Sequence, residues 1–500
     1  MPFSFTSTSG VRGRARVLAP LSIGASTYLL FLFIGNGMLQ DADTLWQITV
    51  GQWILDHRAL PYTDIYSFTR FGEPWISTSW LSQVALATVY AQWGWAGPVI
   101  LTSIAIALSV AILAYLLDEH LEIQRSVVLV AIALMLSAQH FSARPHILAL
   151  PVMVAWVGVL MVAADRRSSP SWLWLPLMAL WANLHGGFVL GLALIGPIAL
   201  IAVWNVEAER RIALFLRWVL FGIGALIACC ATPYGWKTLL GAANILSLGQ
   251  ALSTIIEWRP SDFTSFTPFE AALLGLIAFA FFRGIALSLP RILLILLLTW
   301  MALTHVRSIE SFAFLIPLVL AKPLGGPLVQ AKPDTGNSET WLSRHITAVG
   351  TLMIVATAWI STSIYTSYHR FAFTTERMPV AAVDLLQQRK AQRIFNAYDF
   401  GGYLISRNIP VFIDGRTELY GKTFMIDFVN AVAAYKLDNL TRFFEEYRID
   451  ATLLTANSPA AQVLDHIKGW KRLYADNVAV IHVRDNPQTT DAGPLPAAPH

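Results

Sequence analysis

The chain has 500 residues, of which 55% are hydrophobic and only 13% are charged, and its mean hydropathy is +0.55. Charged residues make up about a quarter of an ordinary soluble chain, so this composition excludes a water-soluble protein of this size. The formal net charge is only +4. We therefore expect no nucleic acid partner, because basic residues in membrane proteins mainly set the topology.

Long apolar runs recur through residues 1–364. A helix needs about 20 apolar residues to cross the bilayer core, and about eleven runs approach that length. They fall near residues 18–39, 95–117, 126–142, 146–164, 171–184, 187–205, 212–231, 269–282, 289–304, 309–321 and 345–364. The predicted fold class is therefore a polytopic α-helical membrane protein with about eleven transmembrane helices. In the first outer loop, 40–94, the segment 79–94 is predicted to lie at the membrane interface, with half of a hairpin as the alternative.

Basic residues predict the orientation of these helices. With the N-terminus inside, the inside connections collect Lys and Arg, as the positive-inside rule requires. The residues are Arg12, Arg14, Arg16, Arg125, Arg166, Arg167, Arg210, Arg211, Arg217, Arg283, Arg291, Lys332 and Arg344. This pattern supports an odd number of crossings, with a cytoplasmic N-terminus and an outer C-terminal region. The Pro- and Gly-rich segment 322–343 is predicted to be a flexible cytoplasmic linker.

Residues 365–485 have the composition of a small soluble domain outside the membrane. Alternating helix and strand patterns predict a small α/β layer. The predicted helices cover 379–390, 440–447 and 459–468, and the predicted strands cover 393–398, 411–413, 451–455 and 478–483. Residues 486–500 are rich in Pro and Ala and are predicted to be disordered.

Unusual polar residues gather in the predicted outer connections. Ionisable groups at helix ends near a membrane are costly unless they pair, reach water or line a cavity. Their collection on one face predicts a shared polar cavity, and a set of ordinary loop caps is the alternative. The main residues are Asp41, Asp43, Arg144, His146, His185, Glu257, Arg259, His305, Arg307 and Glu310.

Two carboxylates, Asp41 and Asp43, directly follow the first predicted helix. At a spacing of i, i+2 they can reach one point from an extended loop. There they could bind a divalent cation such as Mg²⁺ or Mn²⁺, or one of them could act as a general base. The alternative is that they cap the helix predicted over 44–56. That segment is predicted to be an amphipathic interfacial helix, with ordinary packing as the alternative.

Three arginines, Arg144, Arg259 and Arg307, are candidate phosphate-binding residues, because a guanidinium offers paired donors to phosphate oxygens. Each alone could equally anchor a helix end, but three on one face indicate an anionic ligand. The histidines of this face lack the HxxxH spacing typical of zinc sites. We therefore assign the remaining polar residues of this face to substrate binding: His146, His185, His305 and Glu310.

The predicted outer domain carries two motifs. The first spans 398–403 and places Asp399 before a Gly pair, which predicts a tight turn or a close backbone contact. The second spans 412–416 and contains an Asp-Gly pair, which is typical of a turn at a strand end. At the rim of the sheet, Asp414 and Arg416 could face a substrate or pair with each other.

These features together resemble the GT-C superfamily of integral-membrane glycosyltransferases, which use polyprenyl-phosphate-linked sugars. The resemblance rests on the acidic motif DADTLW at 41–46, on the many helices and on the C-terminal α/β domain. The tail segments 396–404 and 411–416 are similar to those of uncharacterised bacterial GT-C-like membrane proteins. The segment 398–403 is also distantly similar to the aromatic-Asp-aromatic-Gly motif of oligosaccharyltransferases.

The resemblance implies inverting sugar transfer from a polyprenyl-phosphate donor to an envelope glycan, lipid or protein. Such a chain would work at the outer face of the bacterial cytoplasmic (inner) membrane, among membrane lipids, with its C-terminal domain in the periplasm. By analogy, Asp41 or Asp43 would deprotonate the acceptor hydroxyl or hold a metal. Arginines such as Arg144 and Arg307 would hold the leaving phosphate.

Two other functions stay open at this point. A lipid-linked sugar transporter or flippase would share the cavity and the phosphate binders, although the sequence has no inverted repeat of broken helices. A non-catalytic scaffold of envelope assembly would act through the tail domain. Two departures from the family pattern favour the scaffold, because relatives tend to carry His and His-Glu where this chain has Gln47 and Thr78-Ser79.

Overall fold

The computed structural model describes residues 17–249, 256–325 and 341–485. Three predictions fall wholly or mainly outside these residues. They concern the basic N-terminal segment with Arg12, Arg14 and Arg16, most of the linker 322–343, and the tail 486–500.

The described part of residues 1–368 is mostly helical, with a non-helical loop at 58–79. In chain order its helices are α1 (Leu18–Phe33), α2 (Ala42–His57), α3 (Trp80–Trp93), α4 (Ala96–Leu117), α5 (Ile123–Ser137), α6 (Pro145–Asp165), α7 (Leu175–Leu184), α8 (Phe188–Ala193), α9 (Ile195–Trp204), α10 (Ala208–Ala228), α11 (Lys237–Ser247), α12 (Pro268–Arg283), α13 (Leu289–Thr304), α14 (Ser308–Gly325) and α15 (Trp341–Tyr368).

Six stretches of helix in the described residues are long and apolar enough to cross a membrane. They lie in α4, α5 with its one-turn extension, α6, α10, α14 and α15. The chain is thus polytopic, as predicted. Five further apolar helices are only 10–17 residues long, so the predicted number of about eleven crossings is not shown. The segment predicted at 79–94 forms α3, whose 14 residues fall short of the roughly 20 that a span requires.

The helix α6 is the centre of the bundle. It packs against α4, α7, α9 and α14, and Pro145 in its first turn suits a helix start because a backbone N–H there would have no partner in the helix. Small residues permit close approach elsewhere in the bundle: a Cβ added to Gly24 of α1 would lie 3.0 Å from the Cβ of Ala111 of α4. Each end of α6 carries charged residues. Arg144 lies at its N-terminal end, and the buried ion pair of Asp165 and Arg291 lies about 30 Å away at its C-terminal end.

The C-terminal region is a small α/β domain with a four-stranded sheet. Its helices are α16 (Val380–Gln388), α17 (Gly401–Ser406), α18 (Thr417–Val432), α19 (Leu437–Glu446) and α20 (Pro459–Leu464), and its strands are β1 (Ile394–Asn396), β2 (Ala451–Thr455), β3 (Trp470–Ala475) and β4 (Ala479–Arg484). The strand order is β1-β2-β4-β3, in which β1 and β2 are parallel and the other two pairs are antiparallel.

The strand predicted at 411–413 is absent from this sheet. These three residues are fully buried, which explains the apolar pattern, but Val411 forms only an isolated bridge to Ser67 of the first outer loop. The side chains of Phe412 and Ile413 join an aromatic core instead, in which the rings of Phe395 and Phe412 are 4.7 Å apart. The strand β3 has no counterpart among the predicted strands, because its residues are exposed or half-buried and carry no buried pattern.

The helix α2 joins the bundle to the C-terminal domain. Trp46, Val50 and Ile54 on one side share a core with the domain, whereas Ile48 belongs to the core of the bundle. Because α2 is buried on two sides, the alternative of ordinary packing describes this helix. A Cβ added to Gly402 of α17 would overlap the carbonyl oxygen of Ala42, so this glycine permits the predicted close backbone contact.

Candidate active site between the bundle and the C-terminal domain

Three carboxylates converge on one guanidinium where the bundle meets the C-terminal domain. Arg144 Nη1 lies 3.0 Å from Asp41 Oδ2, and its Nη2 lies 2.8 Å from Asp43 Oδ2. The same Nη1 donates to Glu257 Oε1. The side chain of Arg144 is 18% exposed and the carboxylates are 24–38% exposed, so the cluster is half-buried.

Local structure explains how these groups are held. Asp41 is the N-cap of α2, and its Oδ1 accepts from the backbone N–H of Asp43 at 2.9 Å. Asp41 therefore caps the helix, as the alternative predicted, and together with Asp43 it also belongs to the polar cluster around Arg144. Arg144 is the extended residue just before α6, and Glu257 lies in the single 3₁₀ turn Ile256–Trp258.

Charge balance within the cluster shifts the pKa values of two of its carboxyl groups. Burial, opposed by Arg144 and assisted by the charges of Asp41 and Glu257, raises the pKa of Asp43 to about 7. Asp43 also accepts a hydrogen bond from Trp46 Nε1 at 2.9 Å, which favours the ionised form. Glu257 behaves oppositely, because Arg144 and then Arg307 hold its pKa well below the usual range against the effect of burial.

A second cation stands beside the cluster. The backbone N–H of Arg307 donates to the carbonyl of Glu257 at 2.9 Å, so the segment before α14 is joined to the 3₁₀ turn at Glu257. The guanidinium of Arg307 stacks on Trp258, 4.5 Å from the ring centre. Among the residues that the structure describes, no carboxylate lies within ion-pair distance of Arg307. Arg144 already pairs with three carboxylates, so of the two guanidinium groups that of Arg307 is the one left for an anionic ligand.

Two histidines and a buried glutamate lie next to these groups on the bundle side. The rings of His146 and His185 are 6.2 Å apart, and both interact with the charges of Arg144 and Glu257. The Nδ1 of His185 accepts from the N–H of Gly187 at 3.0 Å. Glu310 is only 8% exposed, and its Oε1 has no hydrogen-bond partner within the described part of the chain.

The C-terminal domain covers the other side of the site. The hydroxyl of Tyr398 lies 2.9 Å from Thr417 Oγ1, and burial followed by the charge of Asp43 raises the pKa of Tyr398. The side chain of Asp399 keeps an exposed surface, and partial loss of hydration followed by the charge of Asp41 raises its pKa. A Cβ added to Gly415 would lie 2.5 Å from Asp43 Oδ1, so the tail domain contacts the acidic cluster through its backbone.

Two of the proposed substrate-binding residues do not face the site. The side chains of Asp414 and Arg416 are both 0% exposed and pair with each other at 2.6 Å. Because neither side chain reaches the surface, the prediction that they contact a substrate is wrong for both. Arg416 also pairs with Asp64 of the first outer loop at 2.5 Å. The alternative that the two residues pair with each other is therefore correct.

Two further residues lie at the edge of the site. Arg259 is exposed, and its carbonyl accepts from the N–H of Val306 at 2.9 Å. The ring of His305 packs edge-on against Trp258 at 5.6 Å. Glu257 contacts Arg144. The sequence placed Glu257 in the predicted shared cavity but assigned it no catalytic or binding role.

A divalent cation does not fit the acidic cluster as it stands. Carboxylate oxygens are the ligands that Mg²⁺ and Mn²⁺ prefer, but the guanidinium of Arg144 lies at the point where Asp41, Asp43 and Glu257 converge. Across the described ranges, no group of three or more His, Cys, Asp or Glu side chains is arranged to hold a metal ion.

Comparison with known proteins supports the fold. No protein-family model matches the chain, and no curated protein matches its sequence. Among solved structures, the chain is similar to the archaeal oligosaccharyltransferase AglB from Archaeoglobus fulgidus, in complex with an inhibitory peptide and a dolichol-phosphate. The TM-score is 0.50 at 11% identity, over 88% of this chain and 69% of that chain. This likeness shows a shared fold alone, and membership of the predicted bacterial family is not shown.

Proposed function

We propose that this chain is a membrane glycosyltransferase, which transfers a sugar from a polyprenyl-phosphate donor to an envelope glycan, lipid or protein. One observation carries the proposal: the acidic cluster, formed by Asp41, Asp43 and Glu257 around Arg144, is half-buried where a GT-C-like helical bundle meets its C-terminal domain. Such a position suits an amphipathic donor, whose lipid can stay among the helices while its phosphate meets charged groups.

Inverting transfer requires a base and a group that stabilises the leaving phosphate. The acceptor hydroxyl attacks the anomeric carbon, the bond from that carbon to the phosphate oxygen breaks, and the base takes the hydroxyl proton. Asp43 suits the base because its pKa is raised to about 7, so at neutral pH it is both ionised in part and basic enough to accept the proton.

Arg307 suits the leaving group, because its guanidinium has no carboxylate at ion-pair distance among the described residues and is fixed on Trp258. A fixed guanidinium stabilises developing phosphate charge without reorganising. His146, His185 and Glu310 on the bundle side are proposed to contact the donor. Tyr398 and Asp399 on the domain side are proposed to contact the acceptor.

The proposed location is the outer face of the bacterial cytoplasmic membrane, with the C-terminal domain in the periplasm. The charge pattern along the sequence supports this orientation. In agreement with it, Arg166, Arg167, Arg291 and Lys322 lie at the end of the bundle remote from the acidic cluster.

The proposal is tested by a transfer assay in membranes with a set of radiolabelled polyprenyl-phosphate sugars. Asp43→Asn removes the base while leaving an acceptor for the Trp46 indole, and we expect transfer to fall by about 10²–10⁴-fold. Asp384→Asn is the matched control, because this carboxylate forms an ion pair with Arg407 on the domain surface. Transfer by Asp43→Asn at the control rate would contradict the assignment of the base. No transfer with any donor by folded wild-type protein would favour a transporter or a scaffold instead.

A further inference from the structure

We infer that Arg144 is the built-in cation of the acidic cluster, occupying the place that a divalent metal ion would take among Asp41, Asp43 and Glu257. The inference deepens the proposed function and rests on it for its catalytic meaning. Its central test, the binding of a metal ion, is independent of any transferase activity.

The geometry of the cluster carries the inference. Asp41 and Asp43 lie together at the start of α2 and Glu257 comes from a distant 3₁₀ turn, and each directs an oxygen at the same guanidinium. A guanidinium is planar and presents five N–H donors, so it can serve several carboxylates at once. Here one terminal nitrogen serves Asp41 and Glu257, and the other serves Asp43.

The distances around Arg144 are those of hydrogen-bonded ion pairs. Mg²⁺ needs oxygens at about 2.0–2.1 Å in octahedral geometry, whereas the nitrogens of Arg144 stand 3.0 Å from Asp41 and 2.8 Å from Asp43. Part of the carboxylate capacity is already used, because Asp41 Oδ1 caps α2 and Asp43 Oδ1 accepts from Trp46. Those two oxygens are held by donors of the chain itself.

The charge balance agrees with this role. Arg144 touches all three carboxylates, and Arg307 lies near enough to stabilise the ionised form of Glu257. Together the two arginines provide the two positive charges that a divalent cation would bring. Arg144 thus acts as a positioning residue, which orients Asp43, while Arg307 stays available to an anionic ligand.

The inference predicts how metal binding depends on position 144. We would titrate the purified full-length protein with Mn²⁺ and follow the bound ion by electron paramagnetic resonance. Wild type and Asp43→Asn should bind the same amount of Mn²⁺, because the cluster is closed by Arg144. Arg144→Ala should open the cluster and gain one Mn²⁺ site, with affinity at least roughly tenfold above that of wild type.

Matched variants make the test specific. The new site should disappear when Arg144→Ala is combined with Asp43→Asn or with Glu257→Gln, and Arg144→Lys should not gain it, because the lysine keeps a positive charge in place. A wild-type Mn²⁺ site that Asp43→Asn removes would overturn the inference. So would a folded Arg144→Ala protein that gains no site. If Arg144→Ala fails to fold, the comparison of wild type with Asp43→Asn still decides.

The catalytic consequence is measured separately. Transfer by wild type should be the same in excess EDTA as in added Mn²⁺, and loss of transfer in EDTA with recovery on Mn²⁺ would contradict the inference. If no donor supports transfer at all, the proposed function fails. The Mn²⁺ titrations would still show whether Arg144 closes the cluster.

Discussion

Replacing Arg416 by Met should strongly destabilise the junction between the first outer loop and the C-terminal domain. Arg416 is fully buried, with nitrogens 2.5 Å from Asp64 and 2.6 and 2.9 Å from the two oxygens of Asp414. Its guanidinium also lies over Trp75, 4.8 Å from the ring centre. Met fills similar volume but leaves two buried carboxylates without a counter-charge.

The burial of this ion pair determines how much free energy of unfolding the Arg416→Met protein should lose. Removing one partner of a buried ion pair costs about 3–5 kcal/mol, since the remaining charge is left uncompensated. The hydroxyl of Tyr420, at 2.8 Å from Asp414 Oδ2, offsets only part of this cost. The control is Arg442→Met, because Arg442 is half exposed and pairs with Asp427 on the surface, where an ion pair contributes about 0–1 kcal/mol.

Thermal unfolding and limited trypsin digestion of the purified full chain measure the difference. Arg416→Met should unfold at a clearly lower temperature than Arg442→Met and should release a fragment of the C-terminal domain sooner. Adding Asp414→Asn to Arg416→Met should restore part of the loss, because it removes one unpaired charge. Equal effects of the two arginine substitutions would refute the argument from buried charge.

Three further predictions concern the site itself. The transfer rate should rise as pH increases through about 7, because the raised pKa of Asp43 leaves this base protonated below that value. Trp46→Phe should move the rise to higher pH, since it removes a hydrogen-bond donor to the carboxylate. A rate that is flat from pH 5 to pH 9 would argue against Asp43 as the base. Arg307→Gln should raise the KM for the lipid-phosphate donor by roughly tenfold or more, in contrast to a small effect of Arg442→Gln in the same steady-state assay. Gly402→Ala should lower the unfolding temperature, because its Cβ would overlap the carbonyl oxygen of Ala42, whereas Gly37→Ala meets nothing within 4 Å and should be neutral.

Local features of the sequence predicted the class and much of the outer domain. The apolar runs identified a polytopic membrane protein, because hydropathy depends on composition within about 20 residues. The strand predicted at 451–455 is confirmed as β2, since a buried strand carries a continuous apolar pattern. The pattern failed at 411–413, where the same apolar signal arises from burial under aromatic rings without a strand.

Only the tertiary structure decided which charges neutralise one another. Arg144 is 103 residues from Asp41 and 113 from Glu257, and Arg416 is 352 residues from Asp64. Sequence alone marked Arg144 as a candidate phosphate-binding residue and Arg416 as a residue that could face a substrate or pair with Asp414. The fold placed Arg144 among three carboxylates in a half-buried cluster and buried Arg416 between the first outer loop and the C-terminal domain. A charged residue shows its sign in the sequence, but its partner and its distance from water are set by the packing of distant segments.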